Sequence, residues 1–276
     1  MSDPLDSDTR LLEAMVAAAL QAGRAIDEIY RRGFDVAHKP DASPVTDADH
    51  AAEAIILEHL QRAARGVPIV AEEEVAAGRT PTVGMEFFLV DPLDGTREFV
   101  QRRGDFTVNV ALVRSGLPVL GVVYAPANSQ LFAGNVTAGS AFRSEQAPTA
   151  GTRASRVPIR VRPAPQAGLT VVASRSHTTP QTDTYLSHYT VAERVAVGSS
   201  LKFCLLAAGS ADLYPRLGPT MEWDTAAGHA VLAAAGGRVL APGGAALRYG
   251  KAGFRNPSFI ASGTLEPLPL AASNLS

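Results

Sequence analysis

Residues 86–100 of the chain read EFFLVDPLDGTREFV, and they contain the strongest structural signals of the sequence. Its apolar start predicts a buried strand, and the proline after Asp91 predicts that the strand gives way to a loop, because proline cannot continue a central ladder. The same proline forces a turn that brings Asp91 near Asp94. Gly95 and Thr96 then precede a predicted helical turn, whose backbone amides can bind phosphate.

Three further acidic clusters lie at the edges of apolar segments. Taken alone, each is explained as a helix cap, a solvated loop or a group favoured by a helix dipole. Taken together they indicate one site, because burying an isolated carboxylate costs several kcal/mol unless a positive charge neutralises it. The clusters are Asp47 and Asp49 in VTDAD, Glu72 to Glu74 in AEEE, and Asp224 in WDTAAGHA.

The chemistry of these clusters favours magnesium. Clusters of histidine or cysteine are absent from the sequence, so the available ligands are oxygens, which hard divalent cations prefer. Magnesium takes a few carboxylates together with waters and the phosphate oxygens of a substrate, which suits dispersed acids. The sequence therefore predicts phosphoryl chemistry.

Helices and short strands alternate along the rest of the chain, which indicates an α/β protein. The run from 134 to 168 is rich in Gly, Ala, Ser, Pro and Arg without a clear period, and predicts a surface excursion or a connection between subdomains. The other expected elements are helices at 11–30 (capped by Asp8), at 47 to about 66, at 179–188, 201–208 and 223–235, and strands at 68–71, 106–113, 119–124, 169–173 and 194–197.

Bulk composition narrows the class of protein. With 46% hydrophobic residues, a net charge of -2 and an acidic N-terminus, the chain is typical of a globular protein without a membrane span, an export signal or a nucleic-acid polymer as partner. The single cysteine, Cys204, excludes an internal disulfide and indicates a reducing compartment, hence the cytoplasm or the cytoplasmic face of a membrane. Its apolar setting predicts a packed thiol. Lysine is rare, with only Lys39, Lys202 and Lys251, so each invites a specific role.

The order of these motifs resembles the inositol-monophosphatase superfamily and, within it, the bacterial 3'(2'),5'-bisphosphate nucleotidases. The resemblance covers roughly residues 10 to 262. It implies the layered α/β/α/β/α sandwich of the inositol-monophosphatase/fructose-1,6-bisphosphatase type, with an N-terminal subdomain at 1–160 and a C-terminal subdomain at 161–276. The segments that carry it are KPDASPVTDAD, LVDPLDGTREFV, GVVYAPA, ASRSH, GSSLKFC and LYPRLGPTMEWDTAAGHAV.

The resemblance also implies roles for individual residues. Thr96 would hydrogen-bond the attacking water, Asp49 would polarise Thr96 and accept the proton, and Glu73 would support the waters around the metals. Ala71 and Arg97 depart from the family pattern, and the third glutamate, Glu74, leaves the choice of ligand open by one position. The implied metal ligands, for two or three magnesium ions, are Glu72, Asp91, the Leu93 carbonyl, Asp94 and Asp224.

Substrate contacts follow from the same resemblance. Lys202 would pair with the phosphate that is not cleaved, since a bisphosphate carries more negative charge than the metals absorb. A structural and a substrate role are equally open for Arg216, and Lys39 is either a surface lysine or a residue that orients the loop of Asp49. The implied substrate-binding residues are Gly95, Thr96, Ser174, His177, Ser199 and Lys202.

The implied activity is hydrolysis of 3'-phosphoadenosine 5'-phosphate to AMP and phosphate by a water that magnesium activates, with the sulfated analogue as a companion substrate. The protein would be a monomer or a homodimer. Two alternatives stay open: an inositol or sugar monophosphatase using the same metals, and a non-catalytic nucleotide or metal sensor. Intact Asp49 and Thr96 argue against the sensor, because a protein that only binds does not need a water-activating pair.

Overall fold

The computed structural model describes residues 4–39, 43–145, 155–174 and 179–270. Its helices are α1 (Pro4–Arg32), α2 (Asp47–Ala63), α3 (Glu72–Ala76), α4 (Thr96–Val100), α5 (Pro180–Leu186), α6 (Leu201–Ala207) and α7 (Ala226–Ala234). Its strands are β1 (Val36–His38), β2 (Pro44–Thr46), β3 (Ile69–Ala71), β4 (Glu86–Asp94), β5 (Thr107–Arg114), β6 (Leu117–Ala125), β7 (Gln130–Asn135), β8 (Ser140–Glu145), β9 (Arg156–Pro158), β10 (Leu169–Ser174), β11 (Val191–Val197), β12 (Leu213–Arg216), β13 (Thr220–Met221), β14 (Arg238–Leu240), β15 (Arg255–Asn256) and β16 (Phe259–Ser262).

Two large sheets organise the chain. The first has seven strands in the order β3-β4-β5-β6-β7-β8-β9, with β3 parallel to β4 and the rest antiparallel. The second has five strands in the order β11-β10-β12-β16-β14, of which the first three are parallel and the last two pairings antiparallel. The other described strands form two short two-stranded sheets, β1-β2 and β13-β15.

The helices complete five layers. One hydrophobic cluster joins α1 and α2 to one face of the seven-stranded sheet, and a second joins α6 and α7 to its other face and to the five-stranded sheet. A third cluster packs α5 against the outer face of the five-stranded sheet. The layer order is therefore α/β/α/β/α, and the predicted fold class is confirmed.

Strand β4 shows why the seven-stranded sheet is covered on both faces. Successive side chains of a strand point to opposite faces, so Phe87 and Leu89 enter the cluster with α7, while Phe88 and Val90 enter the cluster with α1 and α2. All four side chains are buried. The apolar run without alternation in the sequence is the signature of this position between two layers.

Helix α7 packs unusually close to the seven-stranded sheet. A Cβ placed on Gly121 of β6 would lie 2.4 Å from the Ala227 carbonyl oxygen, a separation that real contacts do not reach. The glycine is therefore required by the close approach. Small residues in α7 have the same cause, because this helix is buried between two sheets.

Two helix starts differ from the sequence-based expectation. Helix α1 begins at Pro4, where the fixed φ of proline suits a first turn, so Asp8 is inside the helix and is not its cap. Asp8 is buried and pairs with Arg114 at 2.8 Å. Helix α7 begins at Ala226 and not at 223, because the Asp224 carboxylate accepts the Met221 N–H at 2.7 Å and forms a turn before the helix.

The prediction that β4 ends at the proline was also wrong. The strand continues to Asp94, with a shift in register between Asp91 and Asp94 against β5. Such an irregularity removes the need for a ladder N–H from Pro92, so the strand passes the proline without losing its neighbour. The bulge separates the two aspartates while keeping both on the same strand end.

The segment 134–168 contains more structure than its composition predicted. Strands β8 and β9 extend the seven-stranded sheet at its edge. Strand β9 is exposed along its length, so it lacks the apolar pattern by which strands are identified in sequence.

In sequence, the strands of the seven-stranded sheet precede the expected boundary at 160/161, because β9 ends before it. The strands of the five-stranded sheet follow the boundary, because β10 begins after it. One hydrophobic cluster nevertheless spans both sheets, so the division into two subdomains stays a prediction. Among the described residues, no helix is both long and apolar enough to cross a bilayer.

Candidate active site

A cavity of about 300 Å³ opens where the ends of β4 and α6 meet the loop before α7. Glu72, Asp94 and Asp224 line it, and Asp91, only 2% exposed, lies close enough to all three for their charges to act on it. Three segments that are distant in sequence thus bring their acids to one place. Glu74 points elsewhere, because both its oxygens bond the Arg79 guanidinium at 2.7 Å.

Hydrogen bonds from near and distant residues fix the two aspartates of DPLDGT. The Leu93 N–H donates to Asp91 Oδ1 at 3.0 Å, which closes the turn around the proline. Asp94 Oδ2 accepts the Ser200 N–H at 2.7 Å and the Asn109 side-chain amide at 3.1 Å. The Ser200 hydroxyl in turn donates to the Asp224 carbonyl oxygen at 2.6 Å. Ser200 therefore connects the end of β4 with the loop that precedes α7.

Lys39 lies against the glutamates of α3. Its Nζ is 2.6 Å from Glu72 Oε1 and 2.6 Å from Glu73 Oε1. These acids raise the pKa of Lys39, although burial opposes the shift and is the largest single influence on it. The backbone of Glu73 is also fixed by helix α2, since its N–H donates to Glu53 Oε2 at 2.9 Å. Of the two readings left open for Lys39, a plain surface lysine is excluded.

The acids at the cavity are costly to ionise together. Burial raises the pKa of Asp91 and of Asp224, and the neighbouring acids raise both further. Burial also raises the pKa of Asp94, with Lys202 acting in the opposite direction. A cation placed among these groups would relieve their repulsion.

The donor set fits magnesium in its chemistry, although its side chains already have other partners. Among the described residues, no three His, Cys, Asp or Glu side chains already stand as a closed metal-ligand set. Lys39 holds Glu72, and backbone amides hold one oxygen each of Asp94 and Asp224. The chemistry of the set still fits, because its donors are all oxygens and magnesium completes a small carboxylate set with waters and phosphate oxygens.

Thr96 and Asp49 meet at the cavity. The Thr96 hydroxyl is 3.2 Å from Asp49 Oδ1 and 3.1 Å from the Leu93 carbonyl oxygen, both of which can accept its proton. Asp49 is the third residue of α2 and forms a capping box with Thr46, whose N–H and hydroxyl both donate to Asp49 Oδ2 at 2.8 Å. Burial raises the pKa of Asp49 to about 6 against these hydrogen bonds.

Two cations line the same cavity. Lys202 is 5% exposed and donates to the carbonyl oxygens of Ser199 at 2.5 Å and Val197 at 3.3 Å. Burial lowers its pKa to about 8. Arg216 is 9% exposed; its Nη2 donates to the Pro219 carbonyl at 3.0 Å, while its buried Nε has no hydrogen-bond partner among the described residues.

The remaining expected substrate contacts divide into two groups. Gly95 and Ser199 line the cavity, and both have a positive φ, 95° and 49° respectively. Glycine tolerates this conformation and serine does so at a cost, which marks the Ser199 backbone as held in place by its surroundings. Ser174 ends β10, and its side chain, like the whole of His177, lies outside the described residues.

Sequence reasoning missed three residues that organise the site. Asn109 and Ser200 position Asp94, and Thr46 positions Asp49. Two local signals were available: Asn109 interrupts an apolar strand, and Thr46 with an acid three residues later is a capping-box pattern. No local signal marks Ser200, because its partner Asp94 lies 106 residues away in sequence.

Comparison with known proteins gives a consistent result. The family model described as the inositol monophosphatase family matches residues 7–273. The chain is 44% identical over 252 residues to the 3'(2'),5'-bisphosphate nucleotidase CysQ of Salmonella typhimurium, covering 90% of this chain and 98% of that one. It is 43% identical over 255 residues to the protein of the same name in Escherichia coli K12, covering 91% and 99%.

Solved structures agree with this likeness. The crystal structure of CysQ from Bacteroides thetaiotaomicron, a bacterial member of the inositol monophosphatase family, superposes with a TM-score of 0.75 at 38% identity, covering 92% of this chain and 97% of that one. An inositol monophosphatase from Anabaena gives a TM-score of 0.68 at 27% identity, covering 91% and 89%.

Proposed function

Since the chain belongs to the inositol monophosphatase family, we propose that it is a magnesium-dependent 3'(2'),5'-bisphosphate nucleotidase that converts 3'-phosphoadenosine 5'-phosphate to AMP and phosphate. Relatives with that name match it over nearly their whole length. Magnesium dependence is general in the family. Removal of the 3'-phosphate from the sulfated analogue is a companion activity in this proposal.

One observation carries the choice of a bisphosphate. The same cavity is lined by acids, Glu72, Asp94 and Asp224, and by two buried cations, Lys202 and Arg216. A phosphate to be cleaved reaches the acids through a divalent cation, whereas a second phosphate meets the cations directly. A substrate with a single phosphate would leave Lys202 and Arg216 without a phosphate to bind, so their attraction for an anion would not contribute to its binding.

The metal ligands in this proposal are Glu72, Asp91, the Leu93 carbonyl, Asp94 and Asp224, for two or three magnesium ions. Glu72 is preferred to its neighbours because the Glu74 carboxylate is bonded to Arg79 and Glu73 is buried. Bound magnesium would neutralise these acids, lower the pKa of a coordinated water and stabilise negative charge on the leaving oxygen.

Thr96 and Asp49 would guide the attacking water. The Thr96 hydroxyl donates to Asp49, so its oxygen lone pairs are available to accept a hydrogen bond from water. Asp49 has a pKa raised to about 6, closer to neutral pH than an ordinary aspartate, which suits a proton acceptor. The capping box holds the acceptor oxygens in place, and Glu73 would support the water network from the side of α3.

On the substrate side, Lys202 and the unpaired Nε of Arg216 would hold the phosphate that is not cleaved. The anion would favour the charged form of Lys202, whose pKa burial lowers to about 8. Gly95, Thr96 and Ser199 would contact the cleaved phosphate and the sugar, and Ser174 and His177 stay predicted contacts. Monomeric or dimeric state and a cytoplasmic location also stay predictions.

Phosphate release from three substrates tests the proposal. The purified protein should hydrolyse 3'-phosphoadenosine 5'-phosphate in preference to inositol 1-phosphate and glucose 1-phosphate, lose the activity with EDTA, and regain it with excess magnesium. Preference for inositol phosphate would replace the nucleotidase by an inositol monophosphatase. No release at any magnesium concentration would favour the non-catalytic sensor.

A further inference from the structure

Lys251 is the one lysine of the three that neither lines the active-site cavity nor contacts a proposed metal ligand within the described residues. Its Nζ lies 2.6 Å from Glu222 Oε1 and 3.2 Å from Asn256 Oδ1, and it also donates to the Arg248 carbonyl. Its partner Glu222 is 0% exposed, although it stands only two residues before Asp224, so the pair lies behind the cavity wall.

Glu222 joins two segments that are distant in sequence. Its Oε2 accepts the Gly250 N–H at 2.7 Å and its Oε1 accepts the Lys251 N–H at 3.0 Å. Its own N–H donates to the Phe254 carbonyl at 2.8 Å. The segment 248–256 is therefore fastened to the loop 220–225, and within the described part of the chain the buried carboxylate bonds to that segment.

Asn256 completes the connection on both sides of Asp224. Its side-chain amide donates to the Met221 carbonyl at 2.8 Å and to Thr225 Oγ1 at 2.9 Å. The Met221 N–H is the donor that holds Asp224 Oδ2 at 2.7 Å. Asn256 thus fixes the residue that orients the Asp224 carboxylate, while Lys251 fixes Asn256.

We infer that Lys251, Glu222 and Asn256 form a clamp that positions Asp224 for metal binding. The inference rests on the proposed function, since it concerns the same metal ligand. A buried ion pair is weak evidence for stability, because apolar residues in its place are often as stable. Here the bonds of the pair lead to one loop, and that loop carries a metal ligand. Hydrogen-bond partners behind a metal ligand typically change metal affinity about 10- to 100-fold.

The test separates positioning from simple stabilisation. Lys251→Met removes the charge that fastens the clamp, and Asn256→Ala removes the amide without leaving a buried charge unpaired. The matched control is Arg162→Met, because Arg162 pairs at 2.8 Å with Asp212, which is 2% exposed and lies outside the cavity lining. Magnesium affinity is measured by calorimetry and by the fluorescence of Trp223, the sole tryptophan, next to Asp224. Thermal unfolding is measured in parallel.

The clamp predicts that Lys251→Met and Asn256→Ala raise the magnesium concentration for half-saturation about tenfold. Arg162→Met should lower the melting temperature and leave half-saturation within about twofold. Wild-type half-saturation in folded Lys251→Met and Asn256→Ala would overturn the clamp alone, as would an equal shift in Arg162→Met. If Lys251→Met does not fold, Asn256→Ala decides. Absence of magnesium binding in the wild type would overturn the metal site of the proposed function and the clamp with it.

Discussion

Replacing Lys202 by methionine tests the division of the cavity between two phosphates. In the wild type, the Lys202 Nζ lies 5.4 Å from the centre of the Tyr214 ring. The variant keeps an apolar side chain of similar length beside this ring and removes the charge and its hydrogen bonds. A hydrogen bond to a charged group contributes about 1.5–3 kcal/mol. With about 1.4 kcal/mol for each factor of ten, kcat/KM for 3'-phosphoadenosine 5'-phosphate should fall about 10- to 150-fold.

Adenosine 3'-monophosphate is the comparison substrate, because it offers the phosphate to be cleaved and lacks the second one. Its kcat/KM, measured by phosphate release, should change by less than about threefold. Arg97→Met serves as control, since Arg97 is an exposed cation that lines the same cavity and should affect both substrates alike. Equal losses for the two substrates in Lys202→Met would refute the reasoning and assign Lys202 to holding the Ser199 backbone.

Two further predictions concern buried groups outside the reaction. Burial lowers the pKa of His229 from 6.5 to about 3. Between pH 6.5 and pH 3 the imidazole is therefore protonated in the unfolded chain and neutral in the folded protein. The stability that is present above pH 6.5 is lost as the pH falls toward 3. In urea unfolding, the wild type should lose about 2 kcal/mol more than His229→Gln between about pH 7.5 and pH 5; equal losses contradict this. Burial raises the pKa of the Cys204 thiol, so Ellman's reagent should modify it only after unfolding, and Cys204→Ala should retain activity; rapid inactivation of the native protein would make it a reactive group.

The sequence predicted the parts of the fold that local patterns determine. Helix α2 begins at Asp47 because a capping box defines its start, and β4 begins with a continuous apolar run of the kind that a sheet covered on both faces requires. Strand β9 was missed because its residues are exposed at a sheet edge. The path of β4 past Pro92 was missed because a bulge depends on the partner strand β5 and not on the sequence of β4 alone.

The candidate site divides in the same way. Its acids were visible as clusters, since each stands at the end of an element with apolar flanks. The contacts that orient them were not visible, because they join distant segments: Lys39 reaches Glu72 across 33 residues, and Ser200 reaches Asp94 across 106. Of the three glutamates, Glu74 is held away from the cavity by Arg79, which lies in a turn that follows α3, and Glu72 lines the cavity.

The acids and the cations of the cavity are two sets of charges that share one physical property with opposite sign. Burial raises the pKa of Asp91, Asp94 and Asp224 and lowers that of Lys202, so in both sets the charged form is disfavoured in the folded protein. For the aspartates, stability is therefore greatest at low pH and falls as they ionise, whereas for Lys202 it falls on acidification below its unfolded pKa. A ligand that brings cations to the acids and anions to the lysine removes both costs at once. A divalent cation together with two phosphates is such a ligand, so the proposed bisphosphate substrate would complement the cavity better than a monophosphate.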